Sequence, residues 1–266
     1  MSVLSLPLAI SIVMYACGAQ RLRSRRAART AHEWYAAAFA AGCVVIAAAL
    51  LSPLDDMSEQ LFAAHMVQHE LLMVVAAPLL VVGRPTLTML WGLPKPVRLG
   101  VGALVSSRVW RFAWRKVSRP FHAWLIHAIV IWVWHVPAFF QTALRSDTVH
   151  AIQHLSFLGS ALLFWWVVLF PRRQERLGMS IVYLFATALH TGVLGALMSV
   201  SRTVWYPAYS GVTPWALTPI QDQQLAGLVM WIPSSMVYLG AALVVLSQWL
   251  RRAEWRVPLP HSAMTS

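Results

Sequence analysis

QLFAAHMVQHELLMVVAAPLLVV, residues 60–82, carries one formally charged side chain, Glu70, in 23 residues. A helix of roughly 17 to 25 mostly apolar residues is what crossing the hydrocarbon core of a bilayer requires. The same stretch places His65 and His69 four residues apart, on one helical face. Ionisable residues inside a span are costly and usually functional. The segment therefore reads as a transmembrane helix that turns its imidazoles toward other protein.

Six further stretches read in the same way: 3–19, 34–52, 121–141, 148–170, 179–200 and 222–249. The first is short and interrupted by Pro7, and the second is alanine-rich and stops at Ser52-Pro53. Over the whole chain 59% of residues are hydrophobic and 11% charged, where soluble domains average about 25% charged. The fold class expected is all-α, a polytopic membrane bundle of seven transmembrane helices in one domain over residues 1–266. The first apolar run has arginines after it, none before it, and no small-residue cleavage site. It reads as a first span, not a cleaved leader. Cys17 and Cys43 belong to no paired motif and are expected as small packing residues.

The net charge of +12 does not indicate nucleic acid, because the basic residues lie in short blocks between the apolar runs. Five arginines follow the first span, eight basic residues lie between Arg84 and Arg119, three between Arg172 and Arg176, and three between Arg251 and Arg256. The opposite side receives only Arg145 and Arg202 of the 21. The positive-inside rule then puts the N-terminus outside and the C-terminus inside. Segment 83–119, with Pro85, Pro94, Pro96, Trp110 and Trp114, is the longest connection and is expected to include an amphipathic helix on the inner leaflet. Segment 201–221, with three X-Pro pairs, is expected as an ordered, non-helical outer loop.

This topology gathers histidines. At about 1.5 Å per residue, His65 and His69 lie roughly 8 and 14 Å below the outer start of their span. His150 and His154, again at i and i+4, lie about 3 and 9 Å into theirs. His135, in Trp-Val-Trp-His-Val-Pro, ends the rising fourth span. Asp222 opens the seventh, and Met66, Met73, Met198 and Met230 add thioethers at similar or greater depth. Two i, i+4 pairs on different helices can complete a metal site in a bundle core. Imidazole suits copper, zinc, iron and nickel, and nearby methionine favours Cu(I). His122 and His127 are expected as hydrogen-bonded helix contacts, His32 as an interfacial residue and His261 as part of the tail. His190 stays open between the two roles. Glu70 lies about 100° around the helix from His69, facing either a neighbouring helix or a proton path.

Phe62-AAHMVQHELLMVVAAPLLVVGRP to Pro85, Trp132-VWHVP to Pro137, His150-AIQHLSFLGSALLFWW to Trp166 and Asp222-QQLAGLVMWIP to Pro233 together resemble the membrane-embedded CtaG-type cytochrome c oxidase assembly factors. The matching stretches span most of the chain in the expected order. The cysteine pair of the single-span copper chaperone sometimes given the same name has no counterpart here. The resemblance implies a seven-helix protein of the bacterial inner membrane that helps to mature a haem–copper oxidase, is not an enzyme, and handles copper. Its partner would be an oxidase subunit or another copper chaperone. The implied metal candidates are His65, His69, His135, His150 and His154, with Asp222 and Met230 from the last motif as weaker ones. Zinc or haem stays open as the bound group.

Other classes are less consistent with the residues. A metal-ion transporter would want a polar path to the inner face, and the inner halves of the third, fifth and seventh spans are almost wholly apolar. A bis-histidine haem protein would show a Soret band. A retinal protein needs a lysine in its last span, and the only lysines are Lys95 and Lys116. No nucleophile, base and orienting group stand together as a hydrolase would need.

Overall fold

The computed structural model of the chain describes residues 5–23, 29–171, 176–211 and 214–254. Arg25, Arg26, Arg172, Arg173, Arg256 and His261 lie outside the described residues. All regular structure among the described residues is helical. In chain order the helices are α1 (Ser5–Arg23), α2 (Arg29–Leu50), α3 (Pro53–Gln60), α4 (Phe62–Val82), α5 (Pro85–Gly92), α6 (Lys95–Ser106), α7 (Arg108–Val117), α8 (Pro120–His135), α9 (Pro137–Leu144), α10 (Asp147–Leu169), α11 (Arg176–Val200) and α12 (Pro219–Glu254). Five of them contain stretches long and apolar enough to cross a membrane: Glu33–Leu50, Phe62–Val82, Asp147–Leu169, Leu177–Val200 and Pro219–Arg251. The bent pair α8 and α9 makes a sixth if counted as one span. In α1 the last turn holds Gln20, Arg21 and Arg23, and its described part falls outside this set.

The stretch expected as one helix over 121–141 is broken. Pro137 disfavours helical geometry at the residue before it, and Val136 is extended at φ −64°, ψ 126°. The chain turns by 74° there, so α8 ends at His135 and α9 sets off in a new direction. Segment 83–119 forms three helices. The first, α5, lies close against α1: a Cβ on Gly92 would strike the Met14 carbonyl, and one on Gly18 the Thr88 carbonyl. Such backbone approach is what small residues permit between membrane helices. Arg21 donates from Nη1 to the carbonyls of Trp91, Gly92 and Leu93, at 2.8, 3.2 and 2.9 Å, so it caps the C-terminus of α5. Ahead of α5, Arg84 adopts a left-handed φ of 49° and lays its guanidinium over the rings of Tyr35 and Phe170. Neither α6 nor α7 buries a side chain. In α7 Val109, Trp110, Ala113, Trp114 and Val117 share one face, and Arg108, Arg111, Arg115 and Lys116 lie around the other. The expected amphipathic helix is therefore present.

At the centre α4 packs against α2, α3, α10 and α12. Its middle, Leu71–Ala76, is π-helical, and Pro78 supplies the reason. In the wide turn Ala77 N–H donates to the Leu72 carbonyl, five residues back. The same register would pair the Met73 carbonyl with residue 78, which is proline and has no N–H. Trp165 of α10 supplies the missing donor, its indole Nε1 lying 2.9 Å from that carbonyl. Its ring stacks on Tyr238 of α12 at 5.6 Å, so one orphaned carbonyl ties three helices together. On the far side α11 and α12 cross where Gly195 meets the Gly227 carbonyl, and Ser199 bonds the Gln224 carbonyl at 3.2 Å. Cys43 is buried and Cys17 half-buried, and both are free thiols.

Candidate metal centre

The N-terminus of α4 lacks a local cap, since Leu61 precedes it and offers no side-chain acceptor. Asp222, in the first turn of α12, fills the role from a distance. Its Oδ2 accepts the Phe62 N–H at 2.7 Å and its Oδ1 the Ala63 N–H at 2.9 Å. A carboxylate there also complements the helix dipole. The acid expected as a weaker ligand thus spends both oxygens on α4, one turn before His65.

Five imidazoles converge beyond that cap. Ring centroids are 4.5 Å apart for His65 and His69, 5.1 Å for His65 and His150, and 4.3 Å for His150 and His154. His69 lies 5.3 Å from His154 and 6.3 Å from His135. His65, His69, His135 and His154 are buried, while His150 at the outer edge is half-buried. His65, His150 and His154 offer ligand atoms that all lie within 4.8 Å of one another. Nitrogens around one ion at about 2.0–2.1 Å stand roughly 3.5 Å apart, so a shared ion would draw the three together by about 1 Å. Five of the sequence candidates are therefore brought together. Met230 is buried in the core of α12, with Met66, Met73 and Met198 in the same apolar cluster.

Hydrogen bonds fix which nitrogens are available. Tyr209 donates its only proton to the Ser58 carbonyl at 2.8 Å, and its Oη lies 3.2 Å from His65 Nδ1. With that proton on Ser58, the phenolic oxygen accepts from a His65 Nδ1–H, the tautomer that leaves Nε2 as a lone pair. His135 Nδ1 lies 2.7 Å from the Ile131 carbonyl, which can only accept, so its Nε2 is also a lone pair. Both Nε2 atoms are buried with no protein partner, as are His150 Nε2, His154 Nε2 and both nitrogens of His69. Metal-binding histidines characteristically commit the second ring nitrogen to an oxygen acceptor in this way. Tyr209 lies in the loop outside the spans, where burial pushes its phenol above the ordinary range and Asp222 and Glu59 push in the same direction. Its hydroxyl accordingly stays protonated at neutral pH.

The walls are aromatic. The 74° break turns α9 toward the cluster and sends Phe140, fully buried, against His65 at 5.0 Å and His69 at 6.4 Å. Phe157 closes the deep side at 4.5 Å from His69 and 6.0 Å from His135. Tyr206 donates to the His135 carbonyl at 2.8 Å and packs on Phe62 and Phe140. Burial raises its phenol above the usual range as well. None of Phe140, Phe157, Tyr206 and Tyr209 was marked by the sequence reading. Tyr206-Pro207 and Tyr209 occur in the loop read as ordered, and the four aromatic residues of that loop, these two with Trp205 and Trp215, were the available signal. The remaining histidines lie elsewhere. His122 lines a cleft with Arg119, Phe121, Met179 and Tyr183. His127 bonds Ser160 as a helix contact should. The side chain of His32 falls outside the described residues.

Comparison with known proteins agrees with the motifs. An uncharacterized protein of Mycobacterium bovis is 28% identical over 254 residues, covering 90% of this chain and 37% of its own length. An uncharacterized protein of Mycobacterium leprae is 25% identical over 244 residues, covering 87% of this chain and 36% of its own. The chain thus spans a little over a third of the length of these relatives. No solved structure matches it. The family described as cytochrome c oxidase caa3 assembly factor matches residues 13–252, and the chain belongs to that family.

Proposed function

We propose that this assembly factor binds copper as cargo in its histidine cluster and passes it to a subunit of a haem–copper oxidase, or to a further copper chaperone, at the outer face of the bacterial inner membrane. The observation that carries this reading is the set of bare, buried nitrogens: His65, His150 and His154 bring ligand atoms within 4.8 Å of one another, and the Nε2 of each, like that of the adjacent His135, has no protein partner. An imidazole site holds copper without competing oxygen ligands. It also matches the kind of ligand a membrane-buried oxidase copper requires, so exchange between like sites avoids transfer through bulk water. Seven spans, with α1 as the first and α8 joined to α9 as the fourth, place the cluster in the outer half. The division of 19 basic residues against two supports that orientation. Asp222 and Met230 act in this reading as a positioning cap and a core residue. No step here is catalytic.

A purely ionic cargo is favoured over haem by the packing of the rings. Centroid separations of 4.3 to 6.3 Å, with Phe140 and Phe157 against the same imidazoles, leave no slot for a macrocycle. The test is elemental analysis with an absorption spectrum on protein purified from copper-supplied cells, with oxidase activity assayed in the parent membranes. Wild type should carry near-stoichiometric copper and no Soret band. A variant with His65, His69, His150 and His154 all replaced by alanine should lose both the copper and the oxidase activity. Normal oxidase activity in a folded variant of that kind overturns the reading.

A further inference from the structure

The cleft beside His122 lies where the first turns of α8 and α11 pack together. Its volume is about 470 Å³, and no acidic side chain lines it. Arg119, the residue before α8, is exposed at its rim, and its guanidinium has no ion pair or hydrogen bond among the described residues. Tyr183 adds a half-buried phenol whose hydroxyl is likewise without a partner among them, its ring 6.1 Å from Trp124. His122, also half-buried, adds an imidazole whose Nδ1 has no protein partner.

The open end of α8 faces the same cleft. Arg119 makes no side-chain cap, and the first turn holds no acid. Ala123 N–H bonds the Arg119 carbonyl at 3.0 Å, which leaves the N–H groups of Phe121 and His122 ahead of the first such bond. Pro120 has no N–H to offer. A guanidinium, an imidazole, a phenol and a positive helix end thus converge with no acceptor of their own, the complement of a phosphate. Two observations assign that phosphate to a lipid. Phe121 and Met179 line the cleft while 52% and 44% exposed, as does no residue that a small soluble anion would need. The amphipathic α7 ends at Val117, two residues before Arg119, so a helix that lies along a membrane surface leads straight into the cleft.

We propose that this cleft binds the phosphate of one anionic phospholipid. Arg119 is its principal contact, because a planar guanidinium can give two parallel hydrogen bonds to one phosphate. Tyr183 and His122 are further donors, and the acyl chains lie over Phe121 and Met179. The inference rests on α7 lying along the membrane surface and stands apart from the copper reading. It has a consequence for the cluster all the same. His135 ends the helix that Pro120 begins, about 24 Å away along the axis. A headgroup held at one end of α8 therefore fixes the depth of an imidazole at the other.

The test titrates the full-length protein, purified in a non-ionic detergent, with phosphatidylglycerol or with phosphatidylcholine and counts bound lipids by native mass spectrometry. One phosphatidylglycerol should bind more tightly than those that follow it and more tightly than any phosphatidylcholine. Arg119→Gln should weaken that first lipid about tenfold or more, the size of a lost hydrogen bond to a charged group. Tyr183→Phe, which keeps the ring, should weaken it by a smaller factor. Arg108→Gln removes an exposed charge of α7 and should leave it unchanged. Equal binding of the two lipids by wild type overturns the site, and that comparison needs no variant to fold. Equal losses from Arg108→Gln and Arg119→Gln also overturn it, since the attraction would then be a diffuse property of the basic surface. Inorganic phosphate that displaces the first lipid at equal concentration overturns the lipid assignment, because the cleft would then take the free anion.

Discussion

Tyr209 controls His65 through one proton. Because the phenol donates to Ser58, the imidazole is locked with Nε2 facing its neighbours. Tyr209→Phe removes the acceptor for Nδ1–H and frees the ring to turn or change tautomer. Partners of this kind are worth about 10- to 100-fold in metal affinity, so Cu(I) competition titration should show a loss of that size with the number of ions unchanged. An affinity equal to wild type would mean that Tyr209 only packs. Asp222 gives a sharper contrast, because its carboxylate caps α4 through two backbone N–H groups. Asp222→Asn should keep the full metal count and, by turning one of the two acceptor oxygens into an NH2 group, strand one backbone N–H at a cost of about 1–3 kcal/mol, roughly 2–4 °C in the thermal midpoint for each kcal/mol. A lost ion would make Asp222 a ligand after all. The five clustered histidines were legible because spacing of four and alternating span direction are both written in the chain. Tyr206, Tyr209 and the cap were not, because a loop's path across the mouth of a bundle leaves no periodic trace. The uncapped start of α4 at Leu61 was the one local hint that a distant acceptor was needed.

Helix boundaries were legible where apolar length set them and at Ser52-Pro53, beyond which α3 begins, but not where Pro78 and Pro137 fall inside apolar stretches. Residues 60–82 were read as one span, and the helix over Phe62–Val82 agrees, but the π-helical turn inside it depends on which carbonyl Pro78 orphans. Likewise, the stretch 121–141 had the composition of a continuous helix, and Val136-Pro137 bent it. That bend is useful, since it brings Phe140 over the cluster, where a straight helix would have carried it away. Three close-packed elements below the cluster depend on the bond from Trp165 to the Met73 carbonyl. Trp165→Phe should strand that carbonyl in an apolar setting at a cost of about 1–3 kcal/mol. Pro78→Ala restores a backbone N–H in the same stretch and lets the helix satisfy itself. The double variant should therefore lose less than the sum of the two single changes, read as thermal unfolding in detergent. Strict additivity would mean that the indole contributes through packing alone.

At the scale of the molecule, the question is which side of the membrane the cluster serves. On the proposed seven-span topology the basic blocks fall between the same alternate spans, and α7 presents Arg108, Arg111, Arg115 and Lys116 on one face with Trp110 and Trp114 on the other. A helix of that kind lies along a surface, held by apolar contact and by attraction to anionic lipid. The histidine cluster, the loop of Tyr206 and Tyr209 and the break before α9 all sit at the opposite ends of the long helices. The prediction is that Thr203→Cys, in a background with Cys17 and Cys43 replaced by alanine, reacts with a membrane-impermeant maleimide in intact spheroplasts. Arg111→Cys should react only after the membrane is permeabilised. Both positions are exposed in the bundle, so silence at one of them reports the side and not burial. If the pattern reverses, the imidazoles face the cytoplasm and outward delivery to an oxidase subunit fails as a mechanism. The chain would still be an assembly factor by family, but its copper would have to be taken up or released on the inner side.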